Sequence, residues 1–237
     1  MNEQNIISKY VPNFITLLSL SSGFTSIRFS LNGEWEIAIY LILLATIFDF
    51  FDGWFARKLK SGSNFGAELD SLSDFVSFGV APSLLIYLWS TYSLGSLGWG
   101  ATLFFVICSA LRLARFTADI YITNKPIDNN EYFVGLPSPA AAGLILLPLF
   151  IFFEFNLNFL HNGYLNLCIT IIIGFMMISK IPTISLKKVN ISQKYKNWIF
   201  LIFVIVGIAL ISKIWLTLVV VFGFYLLSIA YTIFRSR

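Results

Sequence analysis

The chain has 237 residues, of which 57% are hydrophobic, 17% aromatic and 12% charged, with a mean hydropathy of +0.81. About a quarter of the residues of an ordinary soluble domain are charged, so these figures exclude a water-soluble fold and describe a chain whose solvent is largely lipid. The net charge of +4 is small and scattered between apolar runs; it reads as topology and attraction to anionic headgroups, and no nucleic-acid partner is expected.

Apolar runs of about the twenty residues needed to cross a bilayer recur at 11–31, 36–57, 66–92, 97–116, 138–157, 163–180, 196–212 and 214–234. The expected fold class is all-α, a polytopic membrane helix bundle of about eight transmembrane helices. The first run contains Pro12, Asn13, Thr16 and several serines and leads straight into another span, so it is expected to be retained and not cleaved as a signal peptide. With the N-terminus in the cytoplasm, fourteen of the sixteen Lys and Arg residues fall on the cytoplasmic side and only Arg28 and Lys213 fall outside. Miscounting one span would scramble that pattern, so both termini are expected to be cytoplasmic. Cys108 and Cys168 lie in apolar runs without metal-ligand spacing and read as packing residues.

In the first span Asn13, Thr16, Leu20 and Gly23 follow one helical stripe. A polar stripe of this kind faces either a ligand or a packed neighbour. The end of the second span carries Asp49 and Asp52, and the start of the third carries Asp70 and Asp74, with the short polar loop from Lys58 to Asn64 between them. Separations of three and four residues share a helical face, so each helix offers one pair of carboxylates and the pairs meet across a hairpin. Gly53, Ala56 and Gly66 each lie one turn from a carboxylate. Small residues there permit close helix contact or clear space for a bulky ligand. Arg57, at the boundary, suits a phosphate contact or interfacial anchoring with Lys58 and Lys60.

Four carboxylates beside apolar sequence are expensive to keep ionised and imply a positive partner. Hard cations such as Mg²⁺ or Mn²⁺ take oxygen ligands, and two of them close together clamp the attacking and leaving oxygens of a phosphoryl displacement. Neutralisation by nearby lysines and arginines, or an ion pathway in a cation-coupled transporter, are the other readings of the same acids.

The string Asp-x2-Asp-Gly-x2-Ala-Arg-x8-Gly-x3-Asp-x3-Asp, from Asp49 to Asp74, fixes eight positions over 26 residues and resembles the signature of the CDP-alcohol phosphatidyltransferases. That resemblance implies a six-helix core and exchange of the CMP of a CDP-linked lipid for an alcohol, with two divalent ions, Mg²⁺ or Mn²⁺, between the second and third helices. It implies Asp49, Asp52 and Asp70 as metal ligands, with Asp74 both contributing to the second metal and acting as the base that deprotonates the alcohol. It also implies a nucleotide and phosphate side formed by Gly53, Ala56, Arg57 and Gly66, with Asn13 and Thr16 as candidates from the similar Pro-Asn-x-x-Thr opening, and it implies a homodimer.

Farther along, Leu111-Arg112-Leu113-Ala114-Arg115-Phe116 ends the fourth span and Phe133-Val134-Gly135-Leu136-Pro137-Ser138-Pro139-Ala140 enters the fifth. Both strings look like the integral-membrane phosphatidylserine synthase branch of the family, except that Thr117 stands where Asn often follows Arg-Phe. The implied substrates are CDP-diacylglycerol and L-serine, and a bacterial cell membrane is the expected location. Arg112 and Arg115, three residues apart, suit an acceptor carboxylate or the lipid phosphate. Glycerol 3-phosphate would also attract arginines, so it or another polyol is the alternative acceptor. Residues 1–180 are expected to form the transferase core, and 181–237 a basic cytoplasmic loop, with Lys187 and Lys188, followed by two helices without evident chemistry.

Overall fold

The structure is a computed structural model that describes residues 3–59, 63–123, 132–179, 182–184 and 193–235. Among the described residues, each expected apolar run coincides with helix over most of its length. Helix α1 (Glu3–Leu31) and α2 (Trp35–Lys58) form the first hairpin; the third span is α3 (Asn64–Asp74), a π-helical turn (Phe75–Val80) and α4 (Ala81–Trp89) in continuous succession. Then come α5 (Ser96–Thr123), α6 (Ser138–Phe155), α7 (Gly163–Ile178), α8 (Gln193–Ser212) and α9 (Ile214–Arg235). Among the described residues, six spans are long and apolar enough to cross a membrane, and the chain is a polytopic helical membrane protein. Helix α7, with 16 residues, is about 24 Å long at 1.5 Å per residue and is shorter than these six. Phe14, Phe24, Ile47, Ile172 and Phe224 point outward, as side chains solvated by lipid do.

Two features were not expected from the sequence. The third span changes its hydrogen-bonding register immediately after Asp74, where the Ala81 N–H reaches back to the Val76 carbonyl, a pattern common near functional sites. The segments before α6 and after α7 also pair as a short antiparallel ladder of β1 (Tyr132–Val134) and β2 (Pro182–Ile184), with Phe133 opposite Thr183. Gly135, at φ +82°, then turns the chain into α6. The boundary expected at 180/181 and Lys187 and Lys188 of the basic loop lie outside the described residues.

Helix α1 is held by a seam of small polar residues. Thr16, Ser19, Gly23, Ser26 and Ser30 recur at three- and four-residue steps and are buried, which gives one face with little side-chain bulk. The Ser19 hydroxyl donates to the Ala45 carbonyl of α2 at 3.0 Å, Ser73 donates to the Thr16 carbonyl at 3.2 Å, and Ser77 donates to the Ser19 carbonyl at 3.2 Å. Lipid gives helices no hydrophobic reason to associate, so close packing and such interhelical bonds, each worth about 0.6–2 kcal/mol, hold the hairpin to the third span. The approach is closest at Gly23, where an added Cβ would lie 2.6 Å from the Ser77 Cα.

Helix α9 packs on α6, and its Trp215 also stacks on Tyr40 of α2 at 5.6 Å. The Trp215 ring lies 4.8 Å from Phe153, and Phe222 lies 6.0 Å from Phe150. Phe78, Leu85, Phe105, Leu144 and Leu149 form the fully buried centre. Substitution Gly23→Val should push α1 off the π turn and lower stability by about 1–3 kcal/mol, the usual cost of overpacking. Thermal unfolding in detergent checks this; an unchanged midpoint would show that the helices are not in backbone contact there.

Candidate functional site

The candidate site is built where α2 ends and α3 begins. Ser63 starts α3 by accepting the Gly66 N–H on its hydroxyl oxygen at 3.0 Å. A serine N-cap satisfies one of the orphan donors of the first turn and fixes where the helix begins. That start sets the rotation of the helix and brings Asp70 and Asp74 round to face α2. Carboxylate oxygens of Asp49, Asp70 and Asp74 all lie within 4.8 Å of one another. The hairpin expected from the spacing is thus formed by three of the four acids.

Asp52 stands apart from that trio. It is 5% exposed and lies beside the Thr16 hydroxyl of α1. Its Oδ2 and the Oδ1 of Asp74 are buried without a hydrogen-bond partner. A carboxylate oxygen left without a donor in a low-dielectric setting is costly. Three converging carboxylates and two orphaned oxygens suit a hard divalent cation, which takes oxygen ligands and leaves part of its shell to substrate or water.

The remaining expected residues are distributed around this centre. Asn13 reaches the first turn of α3, its Oδ1 only 3.1 Å from where a Cβ on Gly66 would sit. The clearing expected at Gly66 is therefore partly filled by the Asn13 amide. Thr16 donates to the Pro12 carbonyl of its own helix at 3.0 Å. At Gly53 a Cβ would meet only Arg57 Nη1, at 3.5 Å, so that side is open. Arg57 is exposed and Ala56 half-buried, while Lys58 Nζ lies 4.5 Å over the Trp54 ring.

The two arginines of α5 are placed differently from each other. Arg112 Nη1 donates to the Ser138 hydroxyl at 2.6 Å, and its guanidinium interacts electrostatically with Asp74. Arg115 Nη2 donates to the Ile178 carbonyl at 2.9 Å, at the last turn of α7, where a cation is favoured by the unpaired carbonyls. Thr117 lies 3.3 Å from the Ser71 hydroxyl and ties α5 to α3. Sequence reasoning did not single out Ser138 or Ser71; for Ser138 the available signal was a hydroxyl residue at the first position of a helix in the Pro137-Ser138-Pro139 string.

This arrangement places an acidic helix hairpin, which suits a cation, beside an arginine, which suits an anionic group, in a polytopic helical membrane protein. Residues 9–178 match the CDP-alcohol phosphatidyltransferase family, and the chain belongs to that family, which is generally dependent on divalent metal. It is 35% identical over 228 residues to the CDP-diacylglycerol–serine O-phosphatidyltransferase of Mycobacterium leprae (strain TN), covering 96% of this chain and 75% of that protein. Proteins of the same name from Methanocaldococcus jannaschii and Bacillus subtilis (strain 168) are 36% and 35% identical, over 84% and 76% of this chain and 82% and 92% of theirs.

The acid cluster makes a direct prediction about binding. Purified protein should bind Mn²⁺, followed by loss of the free-ion electron paramagnetic resonance signal, and Asp70→Asn should weaken that binding at least tenfold. Equal binding by the variant would mean that the trio does not hold the ion.

Proposed function

We propose that the protein is a CDP-diacylglycerol–serine O-phosphatidyltransferase, which transfers the phosphatidyl group of CDP-diacylglycerol to L-serine and gives phosphatidylserine and CMP. The observation that carries the reaction type is the convergence of Asp49, Asp70 and Asp74 within 4.8 Å in a chain of the CDP-alcohol phosphatidyltransferase family. The acceptor is supported by relatives that bear that activity in their names and by Arg112, held beside Asp74 by Ser138.

In this reading Asp49, Asp52, Asp70 and Asp74 hold two divalent cations, Mg²⁺ or Mn²⁺. When bound, these neutralise the pyrophosphate and the leaving CMP, the charge stabilisation that dominates phosphoryl transfer. Asp74 takes the proton of the serine hydroxyl, a poor nucleophile until a positioned base removes it. The serine oxygen then bonds to the phosphorus nearest the glycerolipid as the bond from that phosphorus to the bridging oxygen breaks and CMP departs. Arg57, at the open Gly53 side, contacts phosphate; Ala56, Gly66, Asn13 and Thr16 border the nucleotide. Arg112 receives the acceptor. Arg115, with one donor on the Ile178 carbonyl, also belongs to the acceptor end.

The basic residues favour an orientation with this site and both termini in the cytoplasm, in a bacterial cell membrane, with acyl chains reaching the site sideways from the bilayer. Residues 1–180 are assigned as the catalytic core and 181–237 as an added loop and helix pair, and the working unit as a homodimer, on the family resemblance.

CMP release measured with CDP-diacylglycerol, Mg²⁺ or Mn²⁺ and separate candidate alcohols tests the reading. Release should depend on serine, vanish on chelation, return with added metal, and fall about 10²–10⁴-fold in Asp74→Asn, the range for loss of a general base. Release with glycerol 3-phosphate in place of serine would reassign the acceptor. Ion-coupled uptake into liposomes without CMP release would replace the enzyme with a transporter.

A further inference from the structure

Helix α9 lies beyond residues 9–178, yet its inward face reaches the place where Arg112 is held. Along that face Leu218, Phe222, Tyr225, Leu226 and Ile229 recur at steps of one turn and pack against the core. Helices α6 and α9 run antiparallel, and two contacts set their register. Trp215 packs on Phe153, and Phe222 seats against Gly143, where an added Cβ would collide with the ring. Advancing along α9 from Trp215 to Phe222 thus matches moving back along α6 from Phe153 to Gly143. One further turn of each helix brings Tyr225 to the level of the α6 start, where the buried Ser138 accepts a hydrogen bond from Arg112. The half-buried Tyr225 is within electrostatic reach of that guanidinium.

Arg112 has unused capacity at this point. Its Nη1 is committed to Ser138, but its Nε is buried and has no hydrogen-bond partner. A buried guanidinium N–H without an acceptor is costly, and a ligand carboxylate is the acceptor its geometry suits best. Asp74 interacts electrostatically with the same guanidinium. An amino acid between them would turn its hydroxyl and ammonium toward the aspartate and its carboxylate away, toward arginine and tyrosine.

We propose that Tyr225 is an acceptor-binding residue, its hydroxyl donating to the carboxylate of the incoming amino acid beside Arg112, so that a helix outside the family's matched region completes the acceptor pocket. This rests on the reading of the chain as a serine phosphatidyltransferase. Tyr225→Phe keeps the packed ring and removes only the hydroxyl. In the full-length protein it should raise KM for serine roughly tenfold, the lower end for a hydrogen bond to a charged group, while kcat and the KM for CDP-diacylglycerol stay within about twofold. Tyr231→Phe, at an exposed position of the same helix, should match the unaltered protein. Serinol, which lacks the carboxylate, should be used equally poorly by the Tyr225→Phe variant and the unaltered protein. Retained kcat and KM for the lipid show that the variant is folded. Serine-dependent release with an unchanged KM for serine, or a rise in the KM for the lipid instead, overturns this inference alone. Absence of serine-dependent release in the unaltered protein overturns the underlying reading and this inference with it.

Discussion

Three carboxylates with oxygens within 4.8 Å of one another repel. At an effective dielectric constant near 20, two unit charges at that distance cost on the order of 3 kcal/mol, and three such pairs together approach the whole stability of a typical domain. Water cannot relieve this for the buried oxygens of Asp52 and Asp74, which have no hydrogen-bond partner. Arg112 supplies one positive charge near Asp74, fewer than the acids require. The cluster is therefore a site that asks for cations, and much of the surrounding structure consists of means for holding two helix ends together against that repulsion.

Those means come from elsewhere in the chain. The serine and glycine seam of α1 binds both α2 and the third span through backbone carbonyls, so the hairpin carrying the acids is clamped from behind by groups that bear no charge. Ser63 fixes the start of α3. The π turn begins directly after Asp74, and it adjusts the helix face below the acids so that Ser77 still meets α1. On the other side the β1–β2 ladder gathers the chain before α6 and after α7, near the two arginines whose partners are Ser138 and Ile178. The acid cluster and Arg112 lie at one end of the bundle, and the buried centre of the bundle is apolar packing.

The hairpin of aspartates was legible in the sequence because helical periodicity fixes which residues share a face, and a charged residue in an apolar run is conspicuous. Spans were legible for the same reason. The separation of Asp52 from the other three was not, since Asp52 lies beside Thr16 of α1, a contact between helices that local spacing does not report. Nor was the π turn, whose residues Phe75–Val80 form an ordinary apolar run in sequence. Arg112 and Arg115 looked equivalent at three residues apart, yet one meets a hydroxyl and the other a helix-terminal carbonyl. These partners lie 26 and 63 residues away, and local spacing carries no information about contacts of that range.

The central claim is that the acids exist to hold divalent metal against a pyrophosphate. Anomalous X-ray diffraction from crystals grown with Mn²⁺ and CDP-diacylglycerol tests it most directly. The account predicts two manganese peaks between α2 and α3, bounded by Asp49, Asp52, Asp70 and Asp74, with the pyrophosphate against them. A complex in which the lipid nucleotide is bound and no manganese lies among these four residues would contradict it.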